Sequence, residues 1–359
     1  MSIRHFNDFN SDITKQEWGE LSKLIMEIIE SPKDFAECCK GKTLATLFYE
    51  PSTRTQLSFQ TAMLRMGGNY IGFDNPGNSS VSKGETLRDT VKIVGGYADI
   101  IAMRNPNEGA AYAASLYSPV PVINAGDGGH LHPTQTLADL TTILREKGKI
   151  EGLKIGLCGD LKYGRTVHSL LKAMSLFKNN KFYLISTYSL RTPRYIIDDI
   201  VKSGNQYIEC DSLDKYIDEF DVLYMTRIQQ ERFASEEEYQ KQKGIFVLDM
   251  KKMKKARKDL IVLHPLPKID EIEEEVDYDP RALYFKQAKY GMYARMALMK
   301  TMLENPFEAP KLPEKTKFEN IKCPNPRCIT NAEKTLPPQF FVNADGVKVC
   351  KYCDFKAKW

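Results

Sequence analysis

The sequence contains one cluster of hydroxyl and guanidinium groups that is suited to binding an anion. Its members are consecutive: Ser52, Thr53, Arg54 and Thr55. An apolar run at 43–49 predicts a buried strand before them, and apolar residues at helical spacing from 59 to 66 predict a helix after them. At such a junction, free helix N–H groups, hydroxyls and a guanidinium can bind one phosphate. An ordinary helix cap beside a surface arginine is the alternative at this point.

Other polar side chains follow further predicted strands. The candidates are Arg104, His132, Gln135, Arg165, Arg227, Gln229 and the segment 264–268. Because ligands of open parallel sheets bind beyond the carboxyl ends of the strands, these side chains are expected at ligand-facing edges. Taken singly, each has a simpler interpretation as a solvated arginine or a structural histidine. Taken together with Arg54, the arginines predict a binding site for a small, highly anionic set of ligands.

The elements that must position these residues alternate between strand and helix. This alternation predicts an α/β protein with two doubly wound parallel-sheet domains, in which helices cover both faces of each sheet. Helices are predicted at 15–29 and 293–303. Strands of the first sheet are predicted at 43–49, 69–74, 98–103 and 120–124, and strands of the second at 153–158, 181–186, 221–225, 245–249 and 259–263.

Composition narrows the class of protein. The net charge of +4 is modest and gives no argument for nucleic acid as a partner. The chain has no apolar run of about 20 residues and no apolar leader, so we expect a cytoplasmic protein with no membrane partner. The stretch at 156–165 lacks the G-x-G-x-x-G spacing, which argues against NAD, and no P-loop is present.

Four of the eight cysteines lie close together near the C-terminus as C-x4-C and C-x2-C, separated by 21 residues. They are Cys323, Cys328, Cys350 and Cys353. This spacing predicts a tetrahedral structural Zn²⁺ site, and two disulfides are the alternative. Because all four ligands come from the protein, such a site has no open position for catalysis. A charged, proline-containing linker is predicted at 304–322, before the cysteine module at 323–359.

Five motifs occur in order: Ser-Thr-Arg-Thr at 52–55, Lys-Gly-Glu-Thr at 83–86, His-Pro-Thr-Gln at 132–135, Gly-Arg-Thr at 164–166 and His-Pro-Leu-Pro at 264–267. With Met-Thr-Arg-Ile-Gln at 225–229, they resemble the aspartate carbamoyltransferase family over about residues 3–303. The cysteine module resembles the zinc domain of that family's separate regulatory chain. The resemblance implies transfer of a carbamoyl group from carbamoyl phosphate to L-aspartate, a step of pyrimidine biosynthesis. It also implies a carbamoyl-phosphate-binding domain at 1–133 with a returning helix at 290–303, and an aspartate-binding domain at 134–289.

The resemblance also assigns roles to residues. The phosphate ligands would be Ser52, Thr53, Arg54 and Thr55. Arg104 would bridge phosphate and carbonyl oxygen, to which His132 and Thr55 would also donate. Gln135 and the backbone carbonyls of Pro265 and Leu266 would bind the carbamoyl NH2 group, beside a cis Leu266–Pro267 bond. The aspartate carboxylates would be bound by Arg165, Arg227 and Gln229. Ser79 and Lys83 would enter the site from a neighbouring subunit of a homotrimer.

The chemistry needs fixed cations, because both substrates are anions that repel each other. We expect no catalytic cofactor, with the departing phosphate taking the amine proton; His132 as general base is the alternative. Two other functions remain open at this point: a carbamoyltransferase for another acceptor such as ornithine, and an inactive scaffold or nucleic-acid-binding protein. The arginines at 165 and 227 argue against a cationic acceptor, which would favour carboxylates there. The cysteine module is expected to act in structure and assembly, by packing on catalytic subunits or linking trimers, with weak or absent nucleotide control.

Overall fold

The computed structural model describes residues 3–228, 235–240, 242–309, 321–333, 335–343 and 346–357. The chain forms two units. The first unit contains Met1–Thr134 and Met292–Trp359, and the second contains Gln135–Gly291. The boundaries expected from the sequence were 133/134 and 289/290. Each unit contains a parallel sheet with helices, which confirms the predicted α/β class. No helix in the described part of the chain has both the length and the apolar character needed to cross a bilayer.

The first unit is built on a four-stranded parallel sheet with strand order β2-β1-β3-β4. The strands are β1 (Thr43–Phe48), β2 (Asn69–Phe73), β3 (Ile100–Asn105) and β4 (Val122–Asp127). The helices are α1 (Phe9–Asp12), α2 (Lys15–Glu30), α3 (Thr53–Arg65), α4 (Leu87–Gly95) and α5 (Ala110–Ser115). Side chains of β1 and β3 are almost all buried, as expected for parallel strands covered on both faces.

The strand β4 extends three residues beyond its predicted end at 124. Its last residues, Asn124 to Asp127, look like a loop in the sequence because three of the four are asparagine, glycine and aspartate. In the structure the Asn124 and Asp127 side chains are buried and hydrogen-bonded, with Asn124 Nδ2 donating to Asp127 Oδ1 at 3.2 Å. Internal hydrogen bonding therefore lets polar residues continue a buried strand.

The second unit contains a five-stranded parallel sheet with strand order β7-β6-β5-β8-β9. The strands are β5 (Lys154–Cys158), β6 (Lys181–Ile185), β7 (Gln206–Cys210), β8 (Val222–Met225) and β9 (Ile261–Leu263). The helices are α6 (Pro133–Lys147), α7 (Arg165–Met174), α8 (Arg194–Lys202), α9 (Glu236–Gln240), α10 (Met250–Lys255) and α11 (Tyr284–Glu304). Of these, α6 begins and α11 ends in residues that belong to the first unit.

The predicted strand at 245–249 is wrong, and β7 was missed. In the 245–249 segment only Leu248 forms a bridge, to Ile272. Phe246 and Leu248 bury their side chains in the core without joining the sheet, which explains the apolar pattern. The strand β7 lies at the sheet edge, where its side chains are exposed or half-buried, so it lacks the apolar run of a central strand.

In both sheets, successive strands along the chain are first added on one side of the starting strand and then on its other side, so the strand order reverses once. The reversal lies between β1 and β3 in the first unit, and between β5 and β8 in the second. Such reversals open a crevice beyond the carboxyl ends of the two strands, where ligands of α/β proteins bind. Each unit therefore has one position at which binding residues are expected.

The C-terminal module, residues 321–357, belongs to the first unit. It contains α12 (Ile329–Ala332) and an antiparallel sheet of β10 (Phe340–Val342), β11 (Lys348–Cys350) and β12 (Lys356–Ala357). Its Ile329 and Tyr352 share an apolar core with Ala110 and Ala113 of α5. Most of the predicted linker, from 310 to 320, lies outside the described residues.

Candidate active site

The N-terminus of α3 follows directly after β1 and carries the predicted anion-binding cluster. Ser52 occupies the N-cap position, and the first helical hydrogen bond runs from Gln56 N–H to Ser52 O at 3.0 Å. The N–H groups of residues 53–55 precede this first intrahelical donor, so they have no acceptor within the helix. The Ser52 hydroxyl makes no capping hydrogen bond, contrary to the simple cap interpretation, and the Thr55 side chain is buried. This end of α3 has the donors and the helix dipole that an anion site requires.

Arg104 lies on β3, in register with Phe48 of the neighbouring β1. Its Nη2 is 2.7 Å from Oε1 of Glu50, and the two side chains are 11% and 27% exposed. Burial lowers the pKa of Arg104, and the Glu50 carboxylate opposes that shift. Burial and the nearby charge of Arg104 also lower the pKa of Arg54. The charge of Arg104 thus acts on Arg54 where β1 and β3 end, so this part of the first unit favours an anion.

His132 is buried and lies between β4 and α6, and α6 begins at Pro133 as predicted. The turn before it is closed by Leu131 N–H donating to Asp127 Oδ1 at 2.9 Å. Gly126 has φ +122°, and a Cβ there would lie 2.8 Å from Arg104 Nη1 and 3.6 Å from His132 Cδ2. Glycine at this position leaves space for the arginine and the imidazole at the same place. The structure therefore brings together Arg54, Arg104 and His132.

Ser79 and Lys83 lie on short 3-10 turns after β2. Ser79 Oγ donates to Pro76 O at 2.8 Å and accepts from Val81 N–H, so its hydroxyl stabilises the turn. Lys83 is exposed. Among the described residues of the first unit, no hydrogen bond or ion pair joins either side chain to the arginines or histidine described above.

In the second unit, Arg165 and Arg227 follow β5 and β8, the two strands between which the strand order reverses. Arg165 is the first residue of α7, after β5, and Arg227 comes two residues after the end of β8. The two strand ends are joined by Asp160 N–H donating to Thr226 Oγ1 at 3.1 Å. Arg165 and Arg227 therefore lie on segments that leave adjacent strand ends. Gln229, the third predicted aspartate ligand, lies outside the described residues.

Pro265 and Leu266 follow β9, the strand next to β8. The Leu266–Pro267 peptide bond is cis, as the resemblance implies. Gln135 lies in the first turn of α6, where its Nε2 donates to Asp139 Oδ1 at 2.7 Å. The second unit thus supplies carbonyl acceptors from residues 265 and 266 and an amide from residue 135.

Sequence reasoning missed three acidic residues that support these side chains, the half-buried Glu50 and the buried Asp127 and Asp139. Each looks like an ordinary surface acid in the sequence. Asp127 accepts hydrogen bonds from Gly109 N–H at 2.7 Å and from Leu131 N–H, and Asp139 is fully buried. The only available signal was their position within a few residues of a predicted site residue.

The four C-terminal cysteines converge as predicted. Their sulfur atoms all lie within 4.8 Å of one another, and all four side chains are buried. The Sγ atoms of Cys323 and Cys353 are 3.6 Å apart, and those of Cys328 and Cys350 are 3.8 Å apart. Tetrahedral thiolates at about 2.3 Å from a metal are separated by about 3.8 Å, whereas disulfide sulfurs lie about 2.05 Å apart. The arrangement fits a four-cysteine metal site, and the disulfide alternative is wrong.

The module packs on the rest of the first unit through backbone hydrogen bonds and charged side chains. Glu108 N–H donates to Arg327 O at 2.8 Å, and Ile329 N–H donates to Glu108 O at 3.0 Å. His130 lies between two carboxylates, 3.0 Å from Asp127 and 3.1 Å from Asp354 of the module. Burial lowers the pKa of His130, but the two carboxylates outweigh it and raise the pKa to about 10. An imidazolium therefore joins the module to the turn that precedes residue 132.

Comparison with known proteins gives family matches over three ranges. Residues 4–145 match the "aspartate/ornithine carbamoyltransferase, carbamoyl-P binding domain", and residues 151–302 match the "Asp/Orn binding domain" of the same family. Residues 317–358 match the "aspartate carbamoyltransferase regulatory chain, metal binding domain".

Individual relatives agree with these matches. The aspartate carbamoyltransferase catalytic subunit of a Clostridium perfringens strain is 61% identical over 294 residues, which is 82% of this chain and 96% of that protein. The catalytic subunit of M. jannaschii aspartate transcarbamoylase is 50% identical, with a TM-score of 0.79 over 84% of this chain and 98% of that chain. The Trypanosoma cruzi aspartate transcarbamoylase, solved with carbamoyl phosphate and aspartate, is 34% identical, with a TM-score of 0.77 over 84% of this chain and 95% of that chain.

Proposed function

Since the chain belongs to the aspartate/ornithine carbamoyltransferase family, we propose that it transfers the carbamoyl group of carbamoyl phosphate to the amine of L-aspartate. The products are N-carbamoyl-L-aspartate and phosphate. One observation supports the proposal most directly: each sheet carries a pair of arginines at or after the ends of the two strands between which its strand order reverses. The pairs are Arg54 with Arg104 and Arg165 with Arg227. Two anionic substrates require two such cationic positions.

In the first unit, the N-terminus of α3 with Ser52, Thr53, Arg54 and Thr55 binds the phosphoryl group. Arg104 bridges the phosphoryl group and the carbonyl oxygen, and His132 donates to that oxygen. Because these donors are fixed before the reaction, they stabilise the oxyanion that develops as the amine attacks, an effect worth about 10²–10³ in rate for one donor. The Arg104–Glu50 ion pair keeps the guanidinium oriented in the absence of substrate.

In the second unit, Arg165 and Arg227 bind the aspartate carboxylates, together with Gln229. Guanidinium groups at this position favour a dicarboxylate acceptor over a cationic one such as ornithine, because a second ammonium would be repelled. Gln135 and the carbonyls of Pro265 and Leu266 accept hydrogen bonds from the carbamoyl NH2 group. Holding the amine and the carbonyl carbon in line contributes up to roughly 7–11 kcal/mol to catalysis.

The departing phosphate accepts the amine proton in this proposal, so no side-chain base is required. The alternative is His132 as general base. The pH–rate profile of a His132→Ala variant separates the two: the loss of a limb set by a histidine would support the alternative.

We further propose a homotrimer in which Ser79 and Lys83 complete the site of a neighbouring protomer. Lys83 is exposed and has no ion-pair partner among the described residues of its own chain. Apolar side chains are exposed nearby on α3 and on the edge strand β2: Leu57, Leu64, Tyr70 and Ile71 are 40–55% exposed. An exposed apolar edge strand is a liability for a monomer, and a second copy of the chain would cover it.

The metal of the C-terminal module is proposed to be Zn²⁺, bound by Cys323, Cys328, Cys350 and Cys353. Four thiolates at these separations suit zinc, which would fix the fold of the module and would not take part in the reaction. The family match of this region is to a metal-binding domain. We place the enzyme in pyrimidine biosynthesis in the cytoplasm.

The test is a transfer assay with L-aspartate, L-ornithine and putrescine as acceptors. We expect turnover with aspartate alone. Arg227→Ala is expected to lower kcat/KM for aspartate roughly 10- to 100-fold, as for loss of a hydrogen-bonded charge pair. Arg191→Ala is the matched control, because Arg191 is exposed and packs on the Tyr188 ring of the same unit at 4.9 Å. Turnover with ornithine, or equal effects of the two variants, would contradict the proposal.

A further inference from the structure

A buried carboxylate in the second unit joins two segments that are far apart in sequence. Asp139 is fully buried on α6. Its Oδ1 accepts from Gln135 Nε2 at 2.7 Å and from Gln287 Nε2 at 2.6 Å, and its Oδ2 accepts from Tyr224 OH at 3.0 Å. One carboxylate oxygen thus contacts amides from two different helices, α6 and α11.

The amide of Gln287 continues the network in a single possible orientation. Its Nε2 donates to Asp139, while its Oε1 accepts from the backbone N–H of His264 at 3.0 Å. Reversing the amide would place an oxygen against a carboxylate and an NH2 group against an N–H donor. Because both ends would then lose their hydrogen bonds, the side chain is fixed in this orientation.

The imidazole of His264 carries the network to Leu266. Its Nδ1 accepts from Leu266 N–H at 2.7 Å, and its Nε2 lies 2.7 Å from Oε1 of the buried Glu271. Since Nδ1 accepts, the ring proton lies on Nε2 and is donated to the carboxylate. The backbone at residues 265–266 is therefore connected to Asp139 through Gln287 and His264.

We propose that Asp139 is a positioning residue that makes the site selective for the amino group of carbamoyl phosphate. A carboxylate can only accept hydrogen bonds, so the Gln135 amide must turn its NH2 end towards Asp139. Its Oε1 is then left to accept from a ligand. Through Gln287 and His264, the same carboxylate holds the segment whose carbonyls, at Pro265 and Leu266, are also acceptors.

Acceptors held in this way suit carbamoyl phosphate, which has an NH2 group. They are poorly suited to acetyl phosphate, which has a CH3 group in the same place. A site built to bind an N–H discriminates strongly against an analogue that lacks it, because the acceptors lose their partners. This inference rests on the proposed function, since it concerns the same ligand. It adds that the selectivity for the NH2 group originates in Asp139, Gln287 and His264, which do not contact the substrate.

The experiment measures equilibrium dissociation constants of carbamoyl phosphate, acetyl phosphate and inorganic phosphate by calorimetry with the full chain. Asp139→Asn preserves shape but allows the Gln135 amide to reverse. Gln287→Met breaks only the connection to His264 and serves if the first variant does not fold. Tyr224→Phe is the matched control, because it removes a hydrogen bond from the other oxygen of the same buried carboxylate.

We expect the preference for carbamoyl over acetyl phosphate to fall roughly 10-fold or more in Asp139→Asn and Gln287→Met. Affinity for inorganic phosphate should stay within about twofold of wild type, because phosphate has no NH2 group, and Tyr224→Phe should keep the preference. An unchanged preference in both folded variants would overturn the inference, as would an equal loss for all three ligands. Failure of the wild type to bind carbamoyl phosphate would instead refute the proposed function.

Discussion

Replacing Gly109 with alanine should detach the C-terminal module from the first unit. Gly109 has φ +83°, and a Cβ there would lie 2.3 Å from the carbonyl oxygen, 2.5 Å from the carbonyl carbon and 2.7 Å from Cβ of Tyr352. Ordinary contact needs about 3.5 Å, so the module backbone would have to move by about 1 Å. Tyr352 lies between the two metal-site cysteines Cys350 and Cys353 and is buried, so it cannot move as a flexible side-chain tip would.

The magnitude follows from three contributions. The positive φ costs about 1–2 kcal/mol for a non-glycine residue. Overpacking against backbone costs about 1–3 kcal/mol. Loss of the Tyr352 packing costs about 1.5–3 kcal/mol if the module moves away instead. Because relief of the overlap and loss of the packing are alternatives, only one of them adds to the backbone cost, and we expect docking to weaken by about 1–3 kcal/mol beyond that cost.

Gly41→Ala is the matched control, since Gly41 has φ +79° and no atom within 4 Å of the added Cβ. The assay is amide hydrogen exchange at Glu108 and Ile329, whose N–H groups donate across the docking surface. We expect their exchange to rise roughly 5- to 150-fold in Gly109→Ala relative to Gly41→Ala. Equal exchange in the two variants would refute the conclusion that the module docks on α5 and the turn before it.

Three further predictions concern the cap of α2, the shared site and the pH dependence. Thr14→Ala removes a reciprocal capping box and should lower the unfolding free energy in urea by about 1 kcal/mol, and no change in the urea midpoint would contradict it. Mixtures of the inactive variants Lys83→Ala and Arg54→Ala should recover about one quarter of wild-type activity if sites are shared in a cyclic trimer, and none otherwise. Burial lowers the pKa of His5 and His168 to about 4, below their unfolded value, so unfolding free energy should fall by about 3 kcal/mol per histidine from pH 6.5 to 4. Urea titrations across this range check the sign, and a stability that rises with falling pH would contradict it.

Much of the first unit could be predicted from local sequence. The cluster at 52–55 lies between a buried strand and an amphipathic helix, and both elements follow from the spacing of apolar residues. The cysteine module was predicted for a similar reason, because ligand spacing within each pair is set by the chain itself. Strands were harder to predict where the apolar pattern and strand pairing disagree. The edge strand β7 is more polar than a buried strand, and the segment 245–249 is apolar but does not pair as a strand.

The supporting acids could not be predicted, because their surroundings come from distant parts of the chain. Asp139 receives hydrogen bonds from Gln287, 148 residues away, and from Tyr224, 85 residues away. Nothing near Asp139 in the sequence distinguishes a buried carboxylate from one on a helix surface. Likewise, nothing near Glu50, which follows β1, indicates its pairing with Arg104 on β3.

The sequence by itself determined which residue types follow each strand, because strand periodicity, helix caps and ligand spacing are local properties of the chain. Only the tertiary structure decided the strand orders β2-β1-β3-β4 and β7-β6-β5-β8-β9, which place the arginine-bearing segments on either side of a reversal. Strand order depends on which buried faces pack together over long separations, and no local pattern encodes it. For that reason the nature of the side chains and their position at the sheet edges could be predicted from the sequence, whereas the neighbours of each strand that carries them could not.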